Sequence, residues 1–378
     1  MFSTIKDWFK PNIDVMNCIH ISKSSLLYNY NYLQSLKPNA SLFPVLKSNA
    51  YGHGIDQMLK IYKWLPIPYV VVDSFPEYHI VLKHSKFKIL LLWETLASNY
   101  KVFNLKRTAF CVYNLETLQE LARLQERITI HLFLNTWMNR EWIDADLLPN
   151  ALEFLKWQPQ INVEWVMSHL HSTDTLSIDT QVEAFKMMYH QILDYGHTPK
   201  YRHIWASAWL LKIQDEFFNA YRPWFALYGY NPLQVEDTWY EIGEQLHPAL
   251  SLSSTIVALN SVPYNEWVSY GPQWKQFDKS NKVTVTIPFW YAEWMPRGVR
   301  EKIQIHHESG YVNQIGAVCM NLSCYLWNDD MLIWDQVWLL ENDKKSHCKI
   351  LDWAEAAGTI PYEILVHLDK WIRRVIEE

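Results

Sequence analysis

Lys47 lies in the string Pro44-Val45-Leu46-Lys47-Ser48-Asn49-Ala50-Tyr51-Gly52-His53-Gly54. The apolar run before it (Leu42, Phe43, Val45, Leu46) reads as a short buried strand that ends at the lysine. A turn with two glycines follows, and a helical pattern begins at Ile55. A lysine at the mouth of an apolar strand is expected to be desolvated, which lowers its amine pKa and makes it a usable nucleophile and base. Imine-forming lysines need that property. The bland alternative is a solvated lysine at a strand end. Four other residues stand in comparable places: Arg140, His169, Ser207 and Arg222 each fall beside an apolar run.

The elements that must position these residues can be read from hydrophobic patterning. Strand-like runs at 42–46, 69–72, 88–92, 109–112, 129–134, 162–167, 201–204 and 224–227 alternate with amphipathic stretches such as 114–126 and 180–195. Asn114 and Asp179 read as helix caps. Eight strands alternating with helices argue for an α/β protein with an N-terminal (β/α)8 TIM barrel, expected over residues 17–245. Chemistry in that fold sits at the C-terminal ends of strands. Lys47 ends the first strand, Arg140 follows the fifth, His169 ends the sixth, Ser207 follows the seventh and Arg222 introduces the eighth. A phosphate site after strands seven and eight recurs in such barrels, and Ser207 with the backbone near Trp224 is placed for it. From about Pro248 short alternating runs (254–259, 283–287, 302–306, 337–340) read as a mainly antiparallel β domain, expected over 246–378, with one late helix near 352–357.

The composition sets bounds. A chain of 378 residues is enough for two domains. Its net charge of -6 is spread without long runs of one sign, so nothing points to a nucleic-acid or membrane surface. Aromatic residues are abundant, but no basic stripe accompanies them. The first six residues lack the pattern of a signal peptide, and apolar runs such as 89–93 are too short to span a bilayer. Five scattered cysteines without a CxxC pair read as thiols of a reduced, cytoplasmic protein. His169 and His171 could be read as metal ligands, but no third ligand converges in sequence, so no metal is expected. One feature is abnormal: the chain has 20 Trp and only 10 Gly. Average usage of about 7% predicts roughly 26 glycines.

The lysine string closely resembles the cofactor-lysine motif of the alanine racemase family, and the resemblance runs across nearly the whole chain. It implies that Lys47 carries pyridoxal 5'-phosphate as a Schiff base and that Tyr51 touches its phosphate. Residues 131–140, ending in Asn139-Arg140, resemble the segment whose arginine contacts cofactor and substrate. Ser168-His169 resembles the histidine that orients the catalytic tyrosine. Residues 203–208, with Ser207, resemble the phosphate-binding segment. Residues 221–229 resemble the segment whose arginine, here Arg222, faces the pyridine nitrogen, with the backbone at Trp224 on the phosphate. Val268-Ser269-Tyr270-Gly271 resembles the catalytic tyrosine motif. Tyr291 resembles a substrate-pocket tyrosine, and residues 316–321 resemble the substrate-carboxylate segment in which the Met320 amide acts.

By this resemblance the chain interconverts L- and D-alanine with two bases, Lys47 on one face and Tyr270 on the other, and supplies D-alanine for peptidoglycan. The Tyr270 phenol is expected to be acidified by His169 and Arg222. The resemblance also implies a homodimer in which Tyr270 reaches the partner's site, and residues 1–16 joining the second domain. There are departures. Phe133 stands where many members carry a bracing lysine, often carbamylated. Asn321 replaces a common aspartate, and Lys370 falls near a phosphate-binding tyrosine of some members.

The resembled family carries glycine at most of the positions held here by Trp137, Trp142, Trp165, Trp205, Trp209, Trp224, Trp290 and Trp294. Glycine permits backbone conformations and contacts that an indole forbids, and several such replacements in one core would overpack it. The expectation is that UGA codons specify glycine in the source and are rendered here as tryptophan. Two other readings stay open: a broader amino-acid racemase, for serine or a larger substrate, and, if the tryptophans are real, a non-catalytic pyridoxal-phosphate-binding or structural protein.

Overall fold

The structure is a computed structural model describing residues 14–378 except 172–174, 205–206, 213–214, 272–273, 279–281 and 329, with the side chains of 175 and 176 also left aside. Trp205 and the first 13 residues, on which two sequence expectations fall, lie outside the described residues. The chain divides into two compact units. One holds residues 24–51 and 58–247, the other 14–23, 52–57 and 248–378.

Strand β1 (Cys18–Ser22) belongs to the second unit, and the next eight strands build the first. These are β2 (Ser41–Leu42), β3 (Tyr69–Val72), β4 (Lys88–Leu91), β5 (Thr108–Val112), β6 (Ile128–Phe133), β7 (Ile161–Met167), β8 (Tyr201–His203) and β9 (Ala220–Tyr221). Strands β3 to β8 form one parallel sheet in sequence order, and β2 pairs with β9 in parallel. The circle closes through the Val45–Val71 bridge on one side and the Asn219 N–H donating to the Arg202 carbonyl (3.3 Å) on the other. Runs such as Tyr-Val-Val-Val in β3 are buried throughout, as strands covered on both faces must be. The barrel interior is filled by rings. Trp165 stands at its centre, with Phe43 and His131 each 4.0 Å away between ring centroids.

Two expectations about this unit are corrected. The eighth strand is Ala220–Tyr221, and residues 226–228 form a 3-10 turn. Pro223 has no N–H to continue a ladder, so the chain leaves the sheet there, and Arg222 follows the last strand where it was expected to introduce it. Asp179 is no cap, because the helix Thr175–Asp194 begins before it. Asn114 does cap its helix, accepting the Thr117 N–H at 2.7 Å.

The second unit is a nine-stranded sheet. Its further strands are β10 (Leu250–Thr255), β11 (Ala258–Val262), β12 (Lys282–Ile287), β13 (Gln304–His307), β14 (Gly310–Ile315), β15 (Ser323–Leu326), β16 (Gln336–Leu340) and β17 (Arg373–Glu377). They lie in the order β11-β12-β15-β14-β13-β16-β10-β1-β17. Every pairing is antiparallel except that of β1 with β17. Asn17 is fixed to this sheet, its side chain donating to Pro288 O and accepting from Ser254. No helix among the described residues is long and apolar enough to cross a membrane.

Candidate active site

The C-terminal ends of the barrel strands enclose a cavity of about 390 Å³. Lys47, Tyr51, Arg140, His169, Arg222 and Trp224 all line it, so six residues from distant parts of the sequence converge. Lys47 enters it five residues beyond Leu42, where the first barrel strand ends, and not at the end of a 42–46 strand as expected; between them Val45 makes only a single bridge to Val71. Its ammonium lies 3.6 Å from the Asp73 carboxylate, and its side chain is 37% exposed. The desolvation expected from the apolar strand is therefore not found. The chain swings the lysine past the strand's end, and a carboxylate from the end of β3 faces it.

After Lys47 the backbone turns left-handed for four residues that are not glycine: Ser48, Asn49, Ala50 and Tyr51 have φ of 53°, 54°, 55° and 49°. Each such residue costs roughly 1–2 kcal/mol against the right-handed helix, so the turn must be held from outside. Glu77 does so with both oxygens, accepting the N–H of Asn49 (3.2 Å) and of Asp73 (3.3 Å). Burial raises the Glu77 pKa, with Asp73 adding to the shift. In the second unit, Gly52 (φ 81°) continues the turn, where a Cβ would meet the Leu365 carbonyl oxygen at 2.1 Å, so glycine is required.

Arg222 is buried and held at both ends of its fork. One nitrogen donates to the Nδ1 of His203 and the other to the Ser168 carbonyl at 2.8 Å. Arginine only donates, so His203 must carry its proton on Nε2. Burial pushes the Arg222 pKa down to about 10, which leaves it cationic at neutral pH. His169 is pushed down to about 3 by burial and then by the charges of Arg222, Arg140 and Lys47, so its ring is neutral. Ser207 opens the helix Ser207–Lys212, and its Oγ accepts the backbone N–H of Trp224 (2.9 Å) and of Ala226 (3.2 Å). A hydroxyl and two amides thus gather where the last two barrel strands end.

Arg140 lies in the loop after β6. Asn135 pins that loop by accepting the N–H of Trp137 (3.1 Å) and of Asn139 (3.3 Å). The Arg140 Nε donates to Glu141 Oε2 at 2.5 Å.

The remaining predicted residues lie in the second unit. Tyr270 is 74% exposed. Its neighbour Ser269 (φ 65°) donates to the Ala317 carbonyl at 2.6 Å, which ties the tyrosine loop to the 316–320 loop. The Ala292 N–H donates to the Met320 carbonyl at 3.0 Å, which brings Tyr291 beside that loop. Tyr270, Tyr291 and Met320 therefore sit on three joined loops.

Sequence reading missed Asp73, Glu77, Glu141 and His203. A carboxylate directly after Arg140 and a histidine at the end of a predicted strand were visible signals. Asp73 and Glu77 gave none, because their roles depend on the path of the turn after Lys47.

The arrangement defines a class: a barrel with a lysine and two arginines at its mouth, followed by an antiparallel domain that presents a tyrosine. Family comparison agrees with it. Residues 21–232 match the model described as "Alanine racemase, N-terminal domain", and 249–376 match "Alanine racemase, C-terminal domain". The chain belongs to the alanine racemase family, whose members are isomerases.

It is 27% identical to an alanine racemase of Helicobacter pylori (strain P12), over 94% of this chain and 98% of that protein. It is 26% identical to alanine racemase 1 of Clostridium acetobutylicum, over 94% of each. Among solved structures, the alanine racemase of Clostridium difficile 630 superposes with a TM-score of 0.88 at 23% identity, covering 97% of both chains. That of Bacillus anthracis with bound L-Ala-P gives 0.86 at 22% identity, covering 97% of this chain and 96% of that one.

Proposed function

We propose that this chain is an alanine racemase that interconverts L- and D-alanine on pyridoxal 5'-phosphate and supplies D-alanine for peptidoglycan. The observation that carries the reading is the convergence of Lys47, Tyr51, Arg140, His169, Arg222 and Trp224 on one cavity, with Ser207 hydrogen-bonded to the Trp224 backbone.

The residues present fit the cofactor. Lys47 offers an amine to hold it covalently. Ser207 and Tyr51 offer hydroxyl donors for a phosphate, and the Trp224 and Ala226 amides, which donate to Ser207 Oγ, leave that hydroxyl's hydrogen to donate outward. Arg222 would face the ring nitrogen as a fixed cation, disfavouring protonation there. When bound, the cofactor supplies electron withdrawal that acidifies the α-hydrogen of the amino acid.

The chain's own residues do the rest. Lys47 moves a proton on one face. Tyr270 moves one on the other, reaching the cavity from a second copy in a homodimer with shared sites. His169 is neutral and so takes part by hydrogen bonding, not by charge. Arg140, Tyr291 and the Met320 amide hold the substrate. Free cysteines fit a cytoplasmic location.

The same reading takes several tryptophans as recoded glycines. Trp137, Trp294 and Trp334 have φ of 90°, 76° and 80°, a region that bulky residues rarely enter and glycine enters freely. The buried indole nitrogens of Trp142, Trp165, Trp290 and Trp353 have no hydrogen-bond partner among the described residues, whereas a native buried tryptophan usually finds one.

The test of function is borohydride reduction of the cofactor-loaded protein followed by peptide mapping, with an assay of alanine interconversion. The cofactor should be fixed on Lys47, and both enantiomers should be consumed. Labelling of another lysine would refute the assignment.

A further inference from the structure

Charges at the cavity are unevenly secured. Three cations line it (Lys47, Arg140, Arg222) and two carboxylates (Asp73, Glu141). Arg222 is buried and fixed by His203 and Ser168, and Lys47 faces Asp73. Arg140 stands out in an exposed loop on a long side chain. Asn135 fixes the backbone leading to it, but not the guanidinium. Phe133, which lines the same cavity, is apolar and packs its ring on Trp142 at 3.9 Å, so it gives Arg140 no charge to lean on.

We propose that Glu141 is the positioning residue for Arg140. The contact has a specific form: Glu141 Oε2 takes the Nε hydrogen at 2.5 Å. That occupies the inner edge of the guanidinium and leaves the two terminal nitrogens with their hydrogens. Two parallel N–H donors are what a planar carboxylate accepts. Glu141 thereby fixes the plane of the fork, while the fork itself stays available to the carboxylate of an amino acid. The carboxylate also lies close enough to the cavity wall to help raise the Tyr113 pKa, after burial and Cys111. Both partners are half-exposed, so the effect on Arg140 is modest and sensitive to salt.

The inference rests on Arg140 serving the substrate, and the experiment separates the two. Full-length protein loaded with pyridoxal phosphate is compared as wild type, Glu141→Gln, Glu141→Asp and Arg140→Ala. Alanine KM and kcat are measured in both directions, along with the affinity for propionate, a carboxylate that lacks the reacting amine. Glu141→Gln should raise KM and weaken propionate about three- to fivefold, with kcat within about twofold. Glu141→Asp should recover most of the loss, and 1 M salt should erase the difference between wild type and Glu141→Gln. Arg140→Ala should lose more than either. If Arg140→Ala weakens propionate and Glu141→Gln does not, the positioning role is wrong. A fall in kcat and melting temperature with KM unchanged also overturns it. If Arg140→Ala itself leaves KM and propionate unchanged, the assignment of Arg140 has failed.

Discussion

Arg222 and His203 form a buried pair in which the guanidinium donates to the imidazole Nδ1. The histidine can accept only as the Nε2–H tautomer, and that Nε2 has no partner among the described residues. The arrangement fixes the arginine at the expense of one orphaned donor.

Replacing His203 with leucine should therefore strand a charged donor inside the barrel. A buried charged group losing its partner costs more than the roughly 1–3 kcal/mol of a neutral one. The check is urea unfolding, with Leu246→Ala as a control for an uncharged core loss. A His203→Leu variant as stable as wild type would remove the pair's structural role.

Tyr270→Phe should keep the cofactor and lose racemisation by about 10²–10⁴-fold, the range typical of a general acid–base group. Exchange of the α-hydrogen with deuterated water should fall more from one enantiomer than from the other. Near-normal exchange from both would exclude a two-base role for this residue.

His169 gives a pH dependence with a defined sign. Its pKa is about 3 in the folded chain and about 6.5 when unfolded. Between these values the unfolded chain binds the extra proton. The stability associated with keeping the ring neutral is full above about pH 6.5 and is lost as pH falls toward 3, by at most roughly 1.4 kcal/mol per pH unit. His169→Asn should lose stability less steeply than wild type over that window in guanidinium unfolding. Parallel curves would mean that the ring is not held neutral.

Trp137→Gly, Trp294→Gly and Trp334→Gly should each stabilise the chain, by about 1 kcal/mol. Relief of a left-handed φ outweighs the lost contacts of these exposed rings. At ordinary exposed sites Trp→Gly should be neutral or destabilising, and Trp64 is the control. Mass spectrometry of the protein from its natural source should find glycine at 137 and 290. Indole mass there would end the recoding reading.

The barrel was legible because parallel strands buried on both faces are written as apolar runs, and six of the eight were found close to their observed bounds, whereas the first, expected over 42–46, is Ser41–Leu42. The eighth, Ala220–Tyr221, is two residues long and leaves no period to detect. Among candidate site residues, those at strand ends could be placed from the fold alone, since the barrel brings its strand ends together. Asp73 and Glu77 could not. Their importance depends on side-chain directions set by the left-handed turn at 48–51. Nor could the exposure of Lys47, because the path of the chain after the strand decides it.

The left-handed turn at 48–51 also constrains how this segment can change. Successive residues of a helix are displaced by about 100°, so Lys47 and Tyr51, four apart, return to within about 40° of each other. Both face the same cavity. Inserting or deleting one residue between them would swing the tyrosine round by a quarter-turn or more, so the spacing itself carries information that no single side chain holds. Substitutions can be absorbed there as long as Glu77 keeps its two amides, but a change of length cannot. Variation in length among descendants of this chain is therefore to be sought in the surface loops, and the five residues from lysine to tyrosine should be inherited as a unit.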